Sequence, residues 1–589
     1  MGYLKLTRMQ ELLWEIDTIE KCEVKSIDYL TASQIDSAKE RELVLERINF
    51  GYHKNFIIFG IRNLSLIDQI YTRMTPFSTM TVIEITDEDT DCLYLEGEES
   101  QLSFLTDPKV ALIIGCTDKL GIQLDAAFDN FLRVYNLRNT EMISMPYVKS
   151  MYAKDLDDIL DMIFEKLHTS INSFGNDVED ILIGMDNYIN NWGHVFNGLD
   201  CKYFKDKFKG KPAIIVGAGP SLDKNIDYLE QAKGKALIFT VDAAMNKLIG
   251  KDIVPDVVSS IERIELSTKF YEKGEIPDDV IYVGPNVILG SILDKFKRII
   301  FTGRTGDALF SKFNENLGFS NLSVGLNVSH VLISFARFLG CYPVIFAGLD
   351  LAYTGGKTHT EGFSNFFDKE VMDLYRQNTV FVKGINGELL ETSENFMYTK
   401  SWIESLIARD REGLFINSTE GGANINGAFN LKLTDAVSSY CTDEGLSSLK
   451  EIYDDAKNKN VLDKKILTDK AIEFFTKLDD YFNDLIKEAQ AYYDKLLGSK
   501  KTGRVLLMED QRKTMDEYLS KNLAGRFILQ SITISYHRDI HSFPMLLEKN
   551  DEKRMYERSL RYYKTLKAVS EKVLESIDAY KRSLKLFQS

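Results

Sequence analysis

What this chain lacks narrows its class first. None of its 589 residues belongs to an uninterrupted apolar run of about 18, the length a membrane-spanning helix needs. The least polar region, 324–353, is broken by His330, Arg337 and Asp350, so no membrane span is expected. The opening Met-Gly-Tyr-Leu-Lys-Leu-Thr-Arg leads into a charged, helix-like segment unlike a secretory signal, and a cytoplasmic location is expected. The six cysteines (Cys22, Cys92, Cys116, Cys201, Cys341, Cys441) contain no C-x-x-C pair, which indicates neither a disulfide framework nor a zinc site. Positive charge is not in excess either. Seventy-two basic against 88 acidic residues give −16, which argues against a general nucleic-acid binder. A local basic pocket for a nucleotide or an anionic sugar stays open.

What remains is ordinary globular material, 44% hydrophobic and 27% charged. The length implies roughly three to four domains. The chain is organised around Lys211-Pro-Ala-Ile-Ile-Val-Gly-Ala-Gly-Pro-Ser-Leu-Asp223. A short apolar run, a glycine turn and a helical Leu222 to Gln231 read as a buried parallel strand entering a helix. Such a turn serves either chain geometry or an anion held by backbone N–H groups at a helix N-terminus.

In chain order, residues 1 to about 50 read as a helix-rich lead. A strand–glycine–helix pattern follows at 55–68, then strands at 80–85 and 110–116, which suggests a small parallel-sheet domain over 1–150. Its turn is degenerate: Ile61, Arg62 and Asn63 follow Gly60 with no second glycine, so this domain is expected to be structural or to dock a protein. Residues 151–205 read as an amphipathic helical connector.

The chemistry is expected in 206–435. The strand 235–242 ends in Asp242, near where dinucleotide-binding folds place an acid on a ribose hydroxyl. Leu222 stands where a G-x-G-x-x-G fingerprint has its third glycine, which disfavours NAD. Further strands at 255–262 and 280–286 carry polar C-terminal ends. Asn327-Val-Ser-His330 before a helix offers a second anion cradle, and the helix dipole would leave His330 neutral. Gly348-Leu-Asp350 closes another strand, suited to a base or ribose. A fourth strand ends in the polar cluster Asn417-Ser-Thr-Glu-Gly-Gly-Ala423. Beyond about 436 the periodicity becomes helical, and 436–589 reads as a helical bundle whose Tyr and Phe stripes are core.

Gly217-Ala-Gly-Pro-Ser-Leu-Asp223, the segment 340–353, Gly356-Lys-Thr-His359 and the 417–423 cluster together resemble the motility accessory factor (Maf) proteins. The resemblance implies an α/β protein with a central Rossmann-like, MptE-like domain, flanked by a smaller N-terminal α/β domain and a C-terminal helical bundle. It implies a glycosyltransferase that moves a nonulosonic acid, pseudaminic or legionaminic, from its CMP donor to Ser or Thr of flagellin, for flagellum assembly and motility.

The central domain also resembles the sialyltransferases of glycosyltransferase family 42. By that resemblance Gly217, Ala218, Gly219, Pro220 and Ser221 cradle the donor phosphate region, with Asp242 at its polar groups. Asn327 and Ser329 fall at the second turn, with His330 beside them in the Asn327–His330 cradle, and Gly348, Asp350 and Tyr353 at the cytidine side. Ala218 and Asp242 stand where those enzymes have Asn. His359 is the expected base or phosphate ligand, Lys357 the candidate for phosphate charge, and Glu420 the alternative base.

No cofactor is required beyond the donor, and a divalent cation is compatible with the acidic strand ends. Metal ligands and oligomeric state are not read from these residues. Two alternatives stand: a 6-hydroxymethylpterin pyrophosphokinase using ATP and magnesium, and a non-enzymatic flagellin-binding chaperone.

Overall fold

Alternation of apolar and polar residues in Tyr3-Leu-Lys-Leu-Thr-Arg8 favours a strand with one buried face. The computed structural model has that strand, with Leu4 and Leu6 fully buried. The structure describes residues 3–8, 16–22, 38–48, 50, 54–75, 78–87, 92–128, 133, 140–172, 178–272, 274–305, 307–363, 379–443, 445–499, 519 and 552–588. The chain divides into two compact units, Met1–Phe174 and Gly175–Ser589.

The first unit contains β1 (Tyr3–Arg8), β2 (Ile16–Cys22), β3 (Asn55–Phe59), β4 (Thr79–Ile85), β5 (Cys92–Glu96), β6 (Val110–Gly115) and β7 (Thr140–Ser144). β2-β1-β5 form an antiparallel sheet. The helix-rich lead expected for residues 1–50 is therefore corrected: the period at Leu4 and Leu6 is two, and one helix, Ala38–Arg47, is described there.

The second sheet is parallel as expected, in the order β6-β4-β3-β7. Its strand order reverses between β3 and β7, the place where such sheets open a ligand crevice. Here side chains fill it. The buried Glu84 carboxylate accepts from Ile61 N at 2.9 Å, Arg62 Nε at 3.0 Å and the Tyr147 hydroxyl. Gly60, at φ +100°, is required because a Cβ would lie 2.6 Å from that hydroxyl.

The second unit contains β8 (Leu199–Asp200), β9 (Ala213–Val216), β10 (Leu237–Val241), β11 (Val257–Ser259), β12 (Ile281–Gly284), β13 (Arg298–Phe301), β14 (Gly303–Arg304), β15 (Asn321–Leu322), β16 (Val344–Ala347), β17 (Thr379–Lys383), β18 (Leu389–Ser393), β19 (Phe415–Asn417) and β20 (Phe429–Asn430). Nine of them form one sheet in the order β20-β19-β16-β9-β10-β11-β12-β13-β8. All of its pairings are parallel. Every residue of β9, β10, β12 and β16 is buried, as a sheet covered on both faces demands. From β9 the chain runs outward to β13, then crosses back to β16 on the other side. The switch point is between β9 and β16.

The expected connector 151–205 divides between the units. Helix Ala153–Asn172 buries Ile159 and Ile163 in the first core. Helix Val178–Asn190 and β8 belong to the second unit, where β8 pairs with β13. The expected regions 206–435 and 436–589 lie in the same unit, because Arg298 binds Asp454 through two bonds of 2.7 and 2.8 Å and Phe474 and Phe475 pack on Phe313. The long helices Lys464–Ser499 and Glu552–Lys585 bury Phe474, Phe482, Tyr562 and Tyr563, the aromatic stripes read as core. No described helix is long and apolar enough to cross a membrane.

Candidate functional site

At the switch point two turns cross at close range. Gly217 N donates to Ala347 O at 2.8 Å and Gly219 N to Gly348 O at 2.6 Å. A Cβ at position 217 would lie 2.6 Å from Gly348 O, and one at 219 would lie 2.2 Å from Asp350 Oδ1. The glycines are thus required by the crossing itself.

Asp350 is the clasp of this crossing. Its carboxylate, 2% exposed, accepts from Ser221 N at 3.1 Å, from Ser221 Oγ, and from Thr354 Oγ1 at 2.7 Å. Burial raises its pKa, and the Ser221 and Thr354 bonds work against that rise. Its backbone carbonyl accepts from Ala423 N at 2.7 Å. The polar 417–423 cluster is largely self-satisfied: Asn417 Oδ1 accepts from Thr419, and Asn417 Nδ2 reaches Ala423 O at 3.4 Å. It buttresses Asp350.

In front of the crossing lies a cleft of about 120 Å³. Gly217, Ala218, Gly219, Gly348 and Asp350 form its floor, with Asp242, Asn327, Ser329 and His359 around it. The sequence therefore placed most of its expected residues in a single cavity.

Asp242 opens the helix Asp242–Ile249 and is 7% exposed. Ser260 Oγ donates to its Oδ2 at 2.7 Å and Ala243 N to its Oδ1 at 2.8 Å. Loss of hydration pushes its pKa up to about 6 despite those two bonds.

His359 stacks on Phe363 with centroids 3.7 Å apart, and its Nδ1 lies 3.1 Å from Thr358 Oγ1. Burial pushes its pKa down to about 4, so the ring is neutral at pH 7. Asp223 pins this loop by accepting from Thr360 Oγ1 and Glu361 N while pairing with Lys247, and Thr360 N donates to Ala218 O at 2.8 Å.

Asn327 caps the helix Val328–Phe338. Its Oδ1 accepts from Ser329 N at 2.9 Å and Ser329 Oγ at 2.8 Å, so the cap itself engages both donors of Ser329. His330 is fully buried behind it and does not line the cleft. Asn327 N donates to His330 Nδ1 at 3.3 Å, and Nε2 faces Thr399 O at 3.2 Å, which fixes the Nε2–H tautomer. The ring stacks on Trp402 at 4.0 Å. It is neutral as expected, but the main cause is burial, which pushes its pKa down to about 3.

Several expected residues fall outside the lining. Lys357 is exposed beside Gly355 and Gly356, both at positive φ in the loop turn. Glu420 is half-buried, and its backbone oxygen, which accepts from Lys224 Nζ at 2.9 Å, is what holds the segment. Pro220, Ser221 and Tyr353 lie behind the surface, Tyr353 held by Glu391 O at 2.7 Å. Among the described lining residues there is no lysine or arginine. Phe396 lines the cleft although no motif marked it, and Thr358, inside the Gly356-Lys-Thr-His359 motif, lines it without having been given a role; Phe396 belongs to the first turn of helix Glu394–Arg409. No described group of three or more His, Cys, Asp or Glu is placed to hold a metal ion.

Comparison with known proteins covers both the central segment and the whole fold. Residues 186–356 match the family model described as 6-hydroxymethylpterin diphosphokinase MptE-like. An uncharacterized protein of Treponema pallidum (strain Nichols) is 30% identical over 184 residues, and the match spans 29% of this chain and 29% of that protein. The MAf glycosyltransferase of Magnetospirillum magneticum AMB-1 is similar in structure with a TM-score of 0.53 at 14% identity, over 91% of this chain and 81% of that one. At that identity the likeness is one of fold. The α/β architecture with a large parallel sheet, a smaller N-terminal sheet and C-terminal helices is therefore that of the MAf structure.

Proposed function

We propose that this chain is a cytoplasmic glycosyltransferase that moves a nonulosonic acid from its CMP donor to a Ser or Thr hydroxyl of flagellin. The observation that carries the reading is the open cleft at the β9/β16 switch, where parallel sheets bind nucleotides, with a carboxylate of raised pKa on its wall. The fold likeness to a MAf glycosyltransferase supports the class.

In this reading the floor of glycine turns lets the donor approach the backbone, and no side chain there has to be displaced. The N-terminal end of helix Val328–Phe338 supplies partial positive charge for the leaving phosphate, a role the lining gives to no cationic side chain. A base must take the acceptor proton. Catalysis is best served by a group whose pKa lies near the working pH. Asp242, at about 6, meets that condition better than His359, at about 4. Asp242 is therefore the base, and His359 on its Phe363 stack shapes the acceptor side.

The description of the matched family model favours a second reading, diphosphoryl transfer from ATP to a pterin. Thermal shift separates the two, and the chaperone alternative with them. Stabilisation by CMP supports the transferase, stabilisation by ATP with magnesium the kinase, and the absence of both the chaperone. In cells, Asp242→Asn should abolish flagellin modification while leaving the melting temperature within about 2 °C. Fully glycosylated flagellin by mass spectrometry in that variant sinks the assignment.

A further inference from the structure

Asp242, at the carboxyl end of β10, is gripped from behind by the neighbouring strand. In the parallel register Val241 lies beside Ser259, so Asp242 comes next to Ser260. Ser260 is fully buried, and its Oγ donates to Asp242 Oδ2 at 2.7 Å. The backbone of Ser260 is pinned in turn. The Tyr282 hydroxyl, on β12, donates towards Ser260 O at 2.9 Å and Pro285 O at 3.1 Å. A Cβ at Gly284 would lie 2.5 Å from that hydroxyl, so the glycine keeps room for it. Ala243 N meets the other carboxylate oxygen at 2.8 Å. Two of roughly four lone-pair sites on the carboxylate are thus filled, which leaves the others for a proton arriving from the cleft that Asp242 lines.

A third group stands behind this pair. Tyr271 ends the short turn Glu265–Tyr271, which packs against the helix Asp242–Ile249 where Asn246 Nδ2 donates to Phe270 O at 2.6 Å. Its ring meets Phe296 edge-on, with centroids 6.0 Å apart, and only 1% of the residue is exposed. Its hydroxyl is buried without a hydrogen-bond partner and faces Asp242 and Ser260. Phenylalanine would fill the same core without an unmet donor, and buried donors of this kind are rare. Ser260 Oγ points its only proton at Asp242 and keeps two lone pairs. One unmet donor therefore stands beside one open acceptor, directly behind the charged group.

We infer that Ser260 and Tyr271 are positioning residues for Asp242: the Ser260 hydroxyl holds its carboxylate charged and fixed towards the cleft, and the Tyr271 hydroxyl backs Ser260 by donating to the lone pairs that Ser260 leaves open. The inference rests on the transferase reading in which Asp242 is the base. In the transfer the acceptor oxygen bonds to the anomeric carbon of the sugar, its proton passes to Asp242, and CMP leaves with the electron pair of the sugar–phosphate bond. The carboxylate must be charged before that step, and burial opposes the charge by lifting its pKa to about 6. Donors aimed at it act in the opposite sense. Of the other groups that face it, Glu262 raises its pKa, and the buried phenols Tyr271 and Tyr282 stay neutral over the working range. Across the cleft His359, at about 4, is neutral, and Asp350 is tied to Ser221 and Thr354. Lys247, on the same helix, pairs with Asp223.

The test is the pH profile of kcat/KM for CMP release by the full chain from CMP-pseudaminate or CMP-legionaminate in the presence of flagellin. The acid limb reports the free enzyme's base and should fall near pH 6 in the unaltered protein. Removing a donor from the carboxylate raises its pKa. Ser260→Ala should therefore move the limb up by roughly one pH unit, a loss of about fivefold near pH 6 that shrinks to less than about twofold at about pH 8.5. Tyr271→Phe should move it the same way by roughly half a unit, and Ser260→Thr, which keeps the hydroxyl, should restore it. Melting temperature and stabilisation by CMP should stay as in the unaltered protein for Ser260→Ala and Tyr271→Phe. A limb that stays in place in either folded variant, or a loss equal at every pH, overturns the inference and leaves the transferase reading intact. An unaltered protein that releases no CMP from either donor removes that reading, and the inference with it.

Discussion

Removing the carboxylate of Asp350 tests whether that residue is a ligand group or a clasp. In the structure its oxygens meet three donors: Ser221 N, Ser221 Oγ and Thr354 Oγ1. Ser221 is fully buried, so water cannot replace the lost acceptor. Each bond to a charged group is worth about 1.5–3 kcal/mol, and each buried donor left unmet costs about 1–3 kcal/mol. Against this, the variant no longer has to desolvate a carboxylate, whose raised pKa records that cost. The net expectation for Asp350→Ala is a loss of about 3–5 kcal/mol, at the upper end of single substitutions. Asp350→Asn keeps one acceptor oxygen and should lose about 1–2 kcal/mol. Urea unfolding followed by fluorescence in a Trp14→Phe background, which leaves Trp192 and Trp402, reads the larger unit, and the two variants should fall in that order. An unchanged urea midpoint in Asp350→Ala, together with loss of stabilisation by CMP, would refute the clasp and return Asp350 to the donor.

Gly219→Ala places a Cβ 2.2 Å from Asp350 Oδ1 and should cost about 3 kcal/mol by the same unfolding measurement; a neutral effect would mean that the crossing can open. His330 has a folded-state pKa of about 3 against an ordinary 6.5. A depressed base contributes stability that is complete above pH 6.5 and lost as the pH falls towards 3, so the acid limb of the stability profile should be shallower in His330→Gln. Glu84→Ala leaves the half-buried Arg62 without its carboxylate and should destabilise the first unit by about 2–4 kcal/mol. Hydrogen exchange should then rise in that unit, and a rise spread over residues 178–499 would contradict the division of the chain.

Legibility in the sequence followed the range of the interaction involved. Buried parallel strands announce themselves as short apolar runs, so β3, β4, β6, β9, β10 and β16 were readable from Ile, Val and Phe alone. The N-cap at Asn327 was readable because a cap is a local contact of Asn327 with Ser329 and His330. β1 was missed because Leu4 and Leu6 are a short alternation among charged residues. β13 was missed although Arg298-Ile-Ile-Phe301 is a buried strand, since only three apolar residues mark it. The roles of the site residues were harder. Whether Asp350 faces a ligand or Ser221 depends on a contact across 129 residues, and so does the pinning of the His359 loop by Asp223, across 137. Lys357 and Glu420 looked suitable by charge, yet neither lines the cleft.

The two larger parallel sheets among the described residues show why a glycine turn alone cannot identify a site. Both have a strand-order reversal, and at both a glycine ends the first strand. At β3/β7 the second residue after the single Gly60 is Arg62, and its guanidinium with Tyr147 and Glu84 occupies the crevice. At β9/β16 the turn residues are Ala218 and Gly219, too small to fill the space, and Asp350, the acid at the end of β16, is folded into the wall by Ser221 and Thr354. The crevice there stays open because its acid is tied back. It follows that the second glycine, absent at position 62 and present at 219, decides between a sheet that only supports and one that can receive a ligand. Replacing Arg62 and Tyr147 by Gly and Phe would vacate the first crevice but leave Glu84 buried and unpaired. The first unit would then lose stability before it gained a site.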